Sequence, residues 1–109
     1  MLDVKKLLTK ILGDTSWKTL TSSIKYRQRA GFITLRIYGT FSLTTSWSSQ
    51  GTLPTGYRPT EDVYFPCTTI TNNSNIIGVV TSGGALSLRL GTGATSTTYS
   101  VETIVTFPI

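Results

Sequence analysis

An all-β fold, an antiparallel β-sandwich or jelly-roll-like head preceded by one short α-helix, is predicted by three features of the 109-residue chain. From Ser16 onward, apolar residues recur with a period of two, the signature of strands with one buried side. Breaks rich in Gly, Pro and Asn interrupt that alternation at intervals of roughly 8–12 residues, as in sandwiches and barrels. Ser and Thr are abundant while charged residues make up only 14%, a profile far from both helical bundles and disordered chains. The length suits one domain burying roughly 65% of its unfolded surface.

The helical period is confined to residues 2–12. Val4, Leu7, Leu8, Ile11 and Leu12 fall on one stripe, with Lys5, Lys6 and Lys10 on the other side. Asp3 can cap the start and Gly13 the end. So short a helix is marginal alone in water and needs something to pack on. It can dock on its own β domain, or form the end of a parallel coiled coil with Val4, Leu7 and Ile11 at core spacing. This divides the chain into a helical segment, residues 1–13, and a β head, residues 14–109.

In the head, Ile24 and Tyr26 alternate with Lys25, Arg27 and Arg29, and Ile33, Leu35 and Ile37 alternate with Phe32, Thr34, Arg36 and Tyr38. Ala30-Gly31 is a two-residue turn between them. With that turn Ile24 faces Ile37 and Tyr26 faces Leu35, so both apolar sets lie on one side. Phe41, Leu43 and Trp47 continue the alternation over 40–47. Residues 46–50 are a polar loop, and 51–60 a connector in which Pro54 and Pro59 remove two backbone donors and forbid helix. Residues 63–67 form a short strand with Cys67 in phase with Val63 and Phe65, a buried position. Residues 72–75 are a turn. Residues 76–80, apolar on both sides, are a central strand; Ser82-Gly83-Gly84 turns into Leu86, Leu88 and Leu90; a Gly/Ser/Thr loop over 91–98 precedes the last strand, 99–107.

Several classes of chemistry lack their residues. With no histidine and one cysteine, a Ser-His or Cys-His nucleophile pair is excluded, as are an intrachain disulfide and a Cys-rich metal site. The carboxylates are Asp3, Asp14, Glu61, Asp62 and Glu102. Glu61 and Asp62 point to opposite sides when extended, and a glycosidase pair such as Glu61 with Glu102 is the disfavoured enzymatic alternative. No phosphate loop, metal or cofactor motif occurs, so the expectation is a non-enzymatic protein with neither metal nor cofactor. No apolar run approaches the roughly 20 residues that span a bilayer, and the leading segment lacks the apolar core of a signal peptide. A soluble chain is expected.

Binding is the better prospect. Lys25, Arg27, Arg29 and Arg36 share one side of the first hairpin with Phe32 and Tyr38, and Lys25 stands opposite Arg36, an unfavourable pair unless an anion or acidic partner lies between. The net charge of +5 agrees with an anionic glycopolymer, and with a solvated or intersubunit side too. Basic residues interleaved with aromatics also bind single-stranded nucleic acid, the least favoured of these readings. A saccharide needs an aromatic platform beside hydrogen-bonding groups. Trp47 with Gln50, and Tyr57 with Arg58, Glu61 and Asp62, are the candidates, although the phase of Trp47 with Phe41 and Leu43 favours the core, and a corner with Tyr57 packed on the sheet edge is the favoured reading of the connector. Trp17 is expected beneath the helical leader.

The connector Leu53-Pro54-Thr55-Gly56-Tyr57-Arg58-Pro59 resembles the LP-x-GYRP connector of C-terminal domains in tailed-bacteriophage tail-fibre, baseplate and receptor-binding proteins. As in that family, a tryptophan-bearing strand precedes it, Val63-Tyr64-Phe65-Pro66 follows it, and Ser82-Gly83-Gly84-Ala85 and Thr103-Ile104-Val105-Thr106-Phe107 come after. The likeness covers roughly residues 16–109. It implies a homotrimeric head at a virion's tail tip, attached to other tail or baseplate proteins, with Val4, Leu7, Leu8 and Ile11 in the oligomer contact of a helical stalk. It further implies attachment to a host cell-surface polysaccharide or wall polymer. A purely structural virion module and a small nucleic-acid-binding β protein are the alternatives.

Overall fold

The computed structural model describes residues 15–69, 75–91 and 97–109. The helical segment with Val4, Leu7, Leu8 and Ile11 lies outside the described residues, as do 70–74 and 92–96. Among the described residues the protein is all-β: β1 (Lys18–Thr21), β2 (Ile24–Arg29), β3 (Phe32–Leu43), β4 (Ser48–Thr52), β5 (Val63–Cys67), β6 (Ile76–Val80), β7 (Ala85–Leu90) and β8 (Thr97–Pro108). They form two antiparallel four-stranded sheets, β1-β2-β3-β8 and β4-β7-β6-β5.

The first hairpin has the expected register. Ile24 pairs with Ile37, Tyr26 with Leu35 and Lys25 with Arg36. Ala30 and Gly31 both have positive φ, 50° and 80°, the turn whose twist matches that of the flanking strands. The inward residues of both sheets meet in one core that joins Ile24, Leu35 and Ile37 to Leu86, Leu88 and Leu90. Each such leucine or isoleucine contributes roughly 1.5–3 kcal/mol of transfer free energy.

Five boundaries differ from expectation. The two apolar runs after Gly31 are one twelve-residue strand, β3, paired along its whole length with β8. The alternation passes through Gly39 because a Cβ there would overlap the side chain of Ser23. The run ends at Leu43 rather than at residue 47, where the chain crosses to the other sheet and Thr44 O accepts the amide of Leu90 at 2.8 Å. Residues 48–50, expected as loop, open strand β4 against β7. β1 was not legible as a strand, and β8 begins at Thr97, inside the expected loop.

The sheets are also joined along their sides. Leu20 of β1 lies against Gly51 of β4. Opposite, the chain leaving β5 runs beside β8: Thr68 O accepts the amide of Glu102 at 2.9 Å, and Thr69 bridges Val101. The Thr103 hydroxyl accepts the Thr68 amide at 2.8 Å and bonds the Cys67 thiol.

Cys67 is buried, as its phase requires. Burial pushes its thiol from 9.0 up to about 11, against a smaller lowering by Thr103. The folded thiol thus keeps its proton where the unfolded one loses it. The resulting stability is intact below about pH 9 and is lost as pH rises towards 11. At pH 8 a disulfide reagent is expected to modify Cys67 only after urea unfolds the chain, and modification of the native protein within minutes would contradict this burial.

Candidate functional site

Two surfaces collect the residues that can bind. The first is the outward side of β4-β7-β6-β5. Tyr64, Val79, Ser87 and Ser49 stand side by side across the four strands, and Pro66, Ile77 and Arg89 form the next row. Trp47, one residue before β4, continues that second row. The Arg89 guanidinium lies 5.0 Å from the centre of the Trp47 ring, and the ring centroids of Trp47 and Tyr64 are 6.4 Å apart at 51°. Trp47 is 44% and Tyr64 66% exposed. Val79, on the same side, is only 7% exposed yet stands outside the main core cluster, which fits a covering of aromatic rings.

Trp47 is therefore not a core residue, contrary to its phase with Phe41 and Leu43. The end of β3 at Leu43 breaks the alternation, and the crossing over 44–47 brings the indole to the outside. Tyr64 and Arg89 were missed from sequence. Both had a signal: each alternates against a buried neighbour, Phe65 and Leu88, and so points outward.

The remaining platform candidates are placed elsewhere. Gln50 donates Nε2 to Ser48 O at 3.1 Å and to Ser48 Oγ at 3.2 Å. Tyr57 is half-buried against the core and meets Tyr26 edge-on, centroids 4.8 Å apart at 72°. Arg58 donates Nε to Leu53 O at 2.8 Å, and Pro59 is buried. Of the two readings of the connector, the structure builds the packed corner. Asp62 Oδ1 accepts the Ser82 amide at 3.0 Å, and Glu61 is exposed beside it.

The second surface is the outward side of β1-β2-β3-β8. Lys25, Arg27, Arg29 and Arg36 stand there with Phe32 and Tyr38, as the alternation requires. Across the four strands the row through the two central cations reads Thr19, Lys25, Arg36, Ile104. Arg36 lies 5.7 Å from the Tyr38 ring centre. Arg27 stacks on Trp17 at 4.4 Å, and its Nε is enclosed with no hydrogen-bond partner among the described residues. Trp17 thus carries a cation; the helical leader expected above it lies outside the described residues. Glu102 stands opposite Tyr38 on β8.

Among the described residues, no group of three potential metal ligands stands together, and no helix is long and apolar enough to cross a membrane. No family model and no curated protein matches this chain.

Proposed function

We propose that the protein is the non-enzymatic, β-sandwich or jelly-roll-like head of a bacteriophage tail-fibre or baseplate protein, trimeric on an N-terminal helical stalk, which attaches the virion to a host cell-surface saccharide. The observation that carries the binding reading is the Trp47–Arg89–Tyr64 cluster. An exposed indole and an exposed phenol lie 6.4 Å apart, the guanidinium of Arg89 stands over the indole, and Ser49 and Ser87 occupy the row of Tyr64. Flat apolar rings stack on the C–H side of a sugar, while the guanidinium and hydroxyls bond its oxygens. Large aromatics left in water are otherwise a cost to solubility. The likeness of the 53–59 connector supports the phage assignment, and a trimer would convert weak sites into avid attachment.

The test is a calorimetric titration of the full chain with fragments of host-surface polysaccharide. Trp47→Ala is expected to weaken binding about tenfold, or about 1.4 kcal/mol, and Trp17→Phe to leave it unchanged. Light scattering on the same sample should give three times the chain mass. Saccharide binding that survives Trp47→Ala would remove the platform, and a monomer would remove the stalked trimer. A trimer indifferent to every saccharide would be a structural virion module.

A further inference from the structure

The side of β1-β2-β3-β8 carries a second feature, independent of the saccharide reading. A recess of about 180 Å³ opens where β1 turns into β2, lined by Ser22, Ser23, Lys25, Arg36 and Tyr38. Two cations face each other across a strand pair, where like charges repel. In register, their lateral neighbours are Thr19 and Ile104, so among the described residues no carboxylate flanks either one in its row. The nearest acid in register, Glu102, pairs with Tyr38 one row along and takes no part in the lining. The lining side chains on this side therefore offer two positive charges and the hydroxyls of Ser22 and Tyr38, and none that is an acceptor only.

The backbone holds this recess open. Tyr38 N donates to Ser23 O at 2.8 Å, and the Ser23 amide is bonded to Thr21 Oγ1 at 3.2 Å. Gly39 leaves the space that the Ser23 side chain occupies. The turn is thus fastened to β3, with Ser22 and the backbone of Ser23 beside the two cations.

We propose that this recess binds a single phosphate group. A phosphate dianion matches the two charges, and its several oxygens use guanidinium, ammonium and hydroxyl donors together. The recess, about 180 Å³ and open to solvent, has room for one phosphate group.

The test follows the backbone amides of the full chain by NMR during titration with sodium phosphate at pH 7.5, with sodium chloride holding ionic strength constant. Saturable shifts are expected at Ser22, Ser23, Lys25, Arg36 and Tyr38, and at least fivefold weaker binding in Lys25→Gln and in Arg36→Gln. Lys25→Gln, which relieves the repulsion, should melt higher than the parent in phosphate-free buffer and lose the rise in Tm that phosphate gives the parent. Glycerol phosphate in place of inorganic phosphate tells an ester from the free ion: tighter binding assigns the recess to an ester, equal binding to the phosphate group alone. Either supports the site. Shifts that do not saturate, an equal response to acetate, or a thymidine oligomer bound more tightly with Arg27 and Arg29 taking part would overturn it. Lys25→Gln should leave saccharide binding at Trp47 intact, so the two sites stand or fall separately.

Discussion

Gly78→Val is expected to lower the unfolding free energy by about 3 kcal/mol or more, read as a fall in the urea midpoint. Gly78 of β6 pairs with Phe65 of β5, and a Cβ at this position would overlap the phenyl ring. Phe65 is buried in the core, so the ring cannot swing into solvent without giving up its transfer free energy. Overpacking a closed core costs about 1–3 kcal/mol for each forced displacement, and valine adds two methyl groups beyond the Cβ. The double variant Gly78→Val/Phe65→Ala should recover part of the loss, because the added side chain then occupies the vacated space. A single variant that loses less than about 1 kcal/mol would mean that β5 shifts freely, and the ring-on-glycine contact would not be what sets the spacing of the two strands.

The second large effect is expected at Gly84, where the connector is fastened to the β6–β7 turn. Gly84 has φ of +90°, and an added Cβ would stand 2.7 Å from both Leu53 O and Arg58 Nε. Those two atoms are bonded to each other at 2.8 Å, and Gly84 O accepts the Leu53 amide at 2.9 Å. Gly84→Val therefore combines backbone strain of about 1–3 kcal/mol with loss of a charge-assisted hydrogen bond of about 1.5 kcal/mol or more. We expect a total near 3 kcal/mol, against about 1.5 kcal/mol for Arg58→Ala. In the double variant the Arg58 loss should largely vanish, because Gly84→Val already breaks that bond. Full additivity in a double-mutant cycle would show that Arg58 and the turn are independent.

Much of this arrangement was legible because local and global signals agreed. The β2–β3 register follows from Ala30-Gly31 and the alternation of Ile24, Tyr26, Leu35 and Ile37, since a slip of one residue would turn every apolar side chain outward. β5 and β6 were legible to the residue, bounded by loop segments and rich in β-branched and aromatic side chains. β4 was not: Ser48-Ser49-Gln50-Gly51-Thr52 has no apolar side to show, and its pairing with β7 comes from the other strand. β1 failed for the same reason, with Leu20 as its single apolar residue. The basic side could be placed residue by residue because it inherits the hairpin register. The aromatic platform could not, because it depends on a change of sheet between Leu43 and Ser48 that no periodicity records. Reading past that crossing put Trp47 inside and separated it from Tyr64 and Arg89, its neighbours in space.

The pairing of β3 with β8 also fixes when the protein can fold during its synthesis. Phe32 pairs with Pro108 and Leu43 with Thr97, so β3 emerges early and waits for the last strand to be translated. Until then Ile33, Leu35 and Ile37 lack Val105 and Phe107, which complete the core around them. The β2–β3 hairpin can close early, but a nascent chain whose synthesis has not passed residue 96 has an open apolar surface and an unpaired strand edge. Such surfaces invite association between neighbouring chains. Contacts this distant in sequence slow folding further. A nascent chain is therefore expected to need shielding until β8 has left the ribosome, and the yield of folded protein is expected to rise with the supply of chaperones.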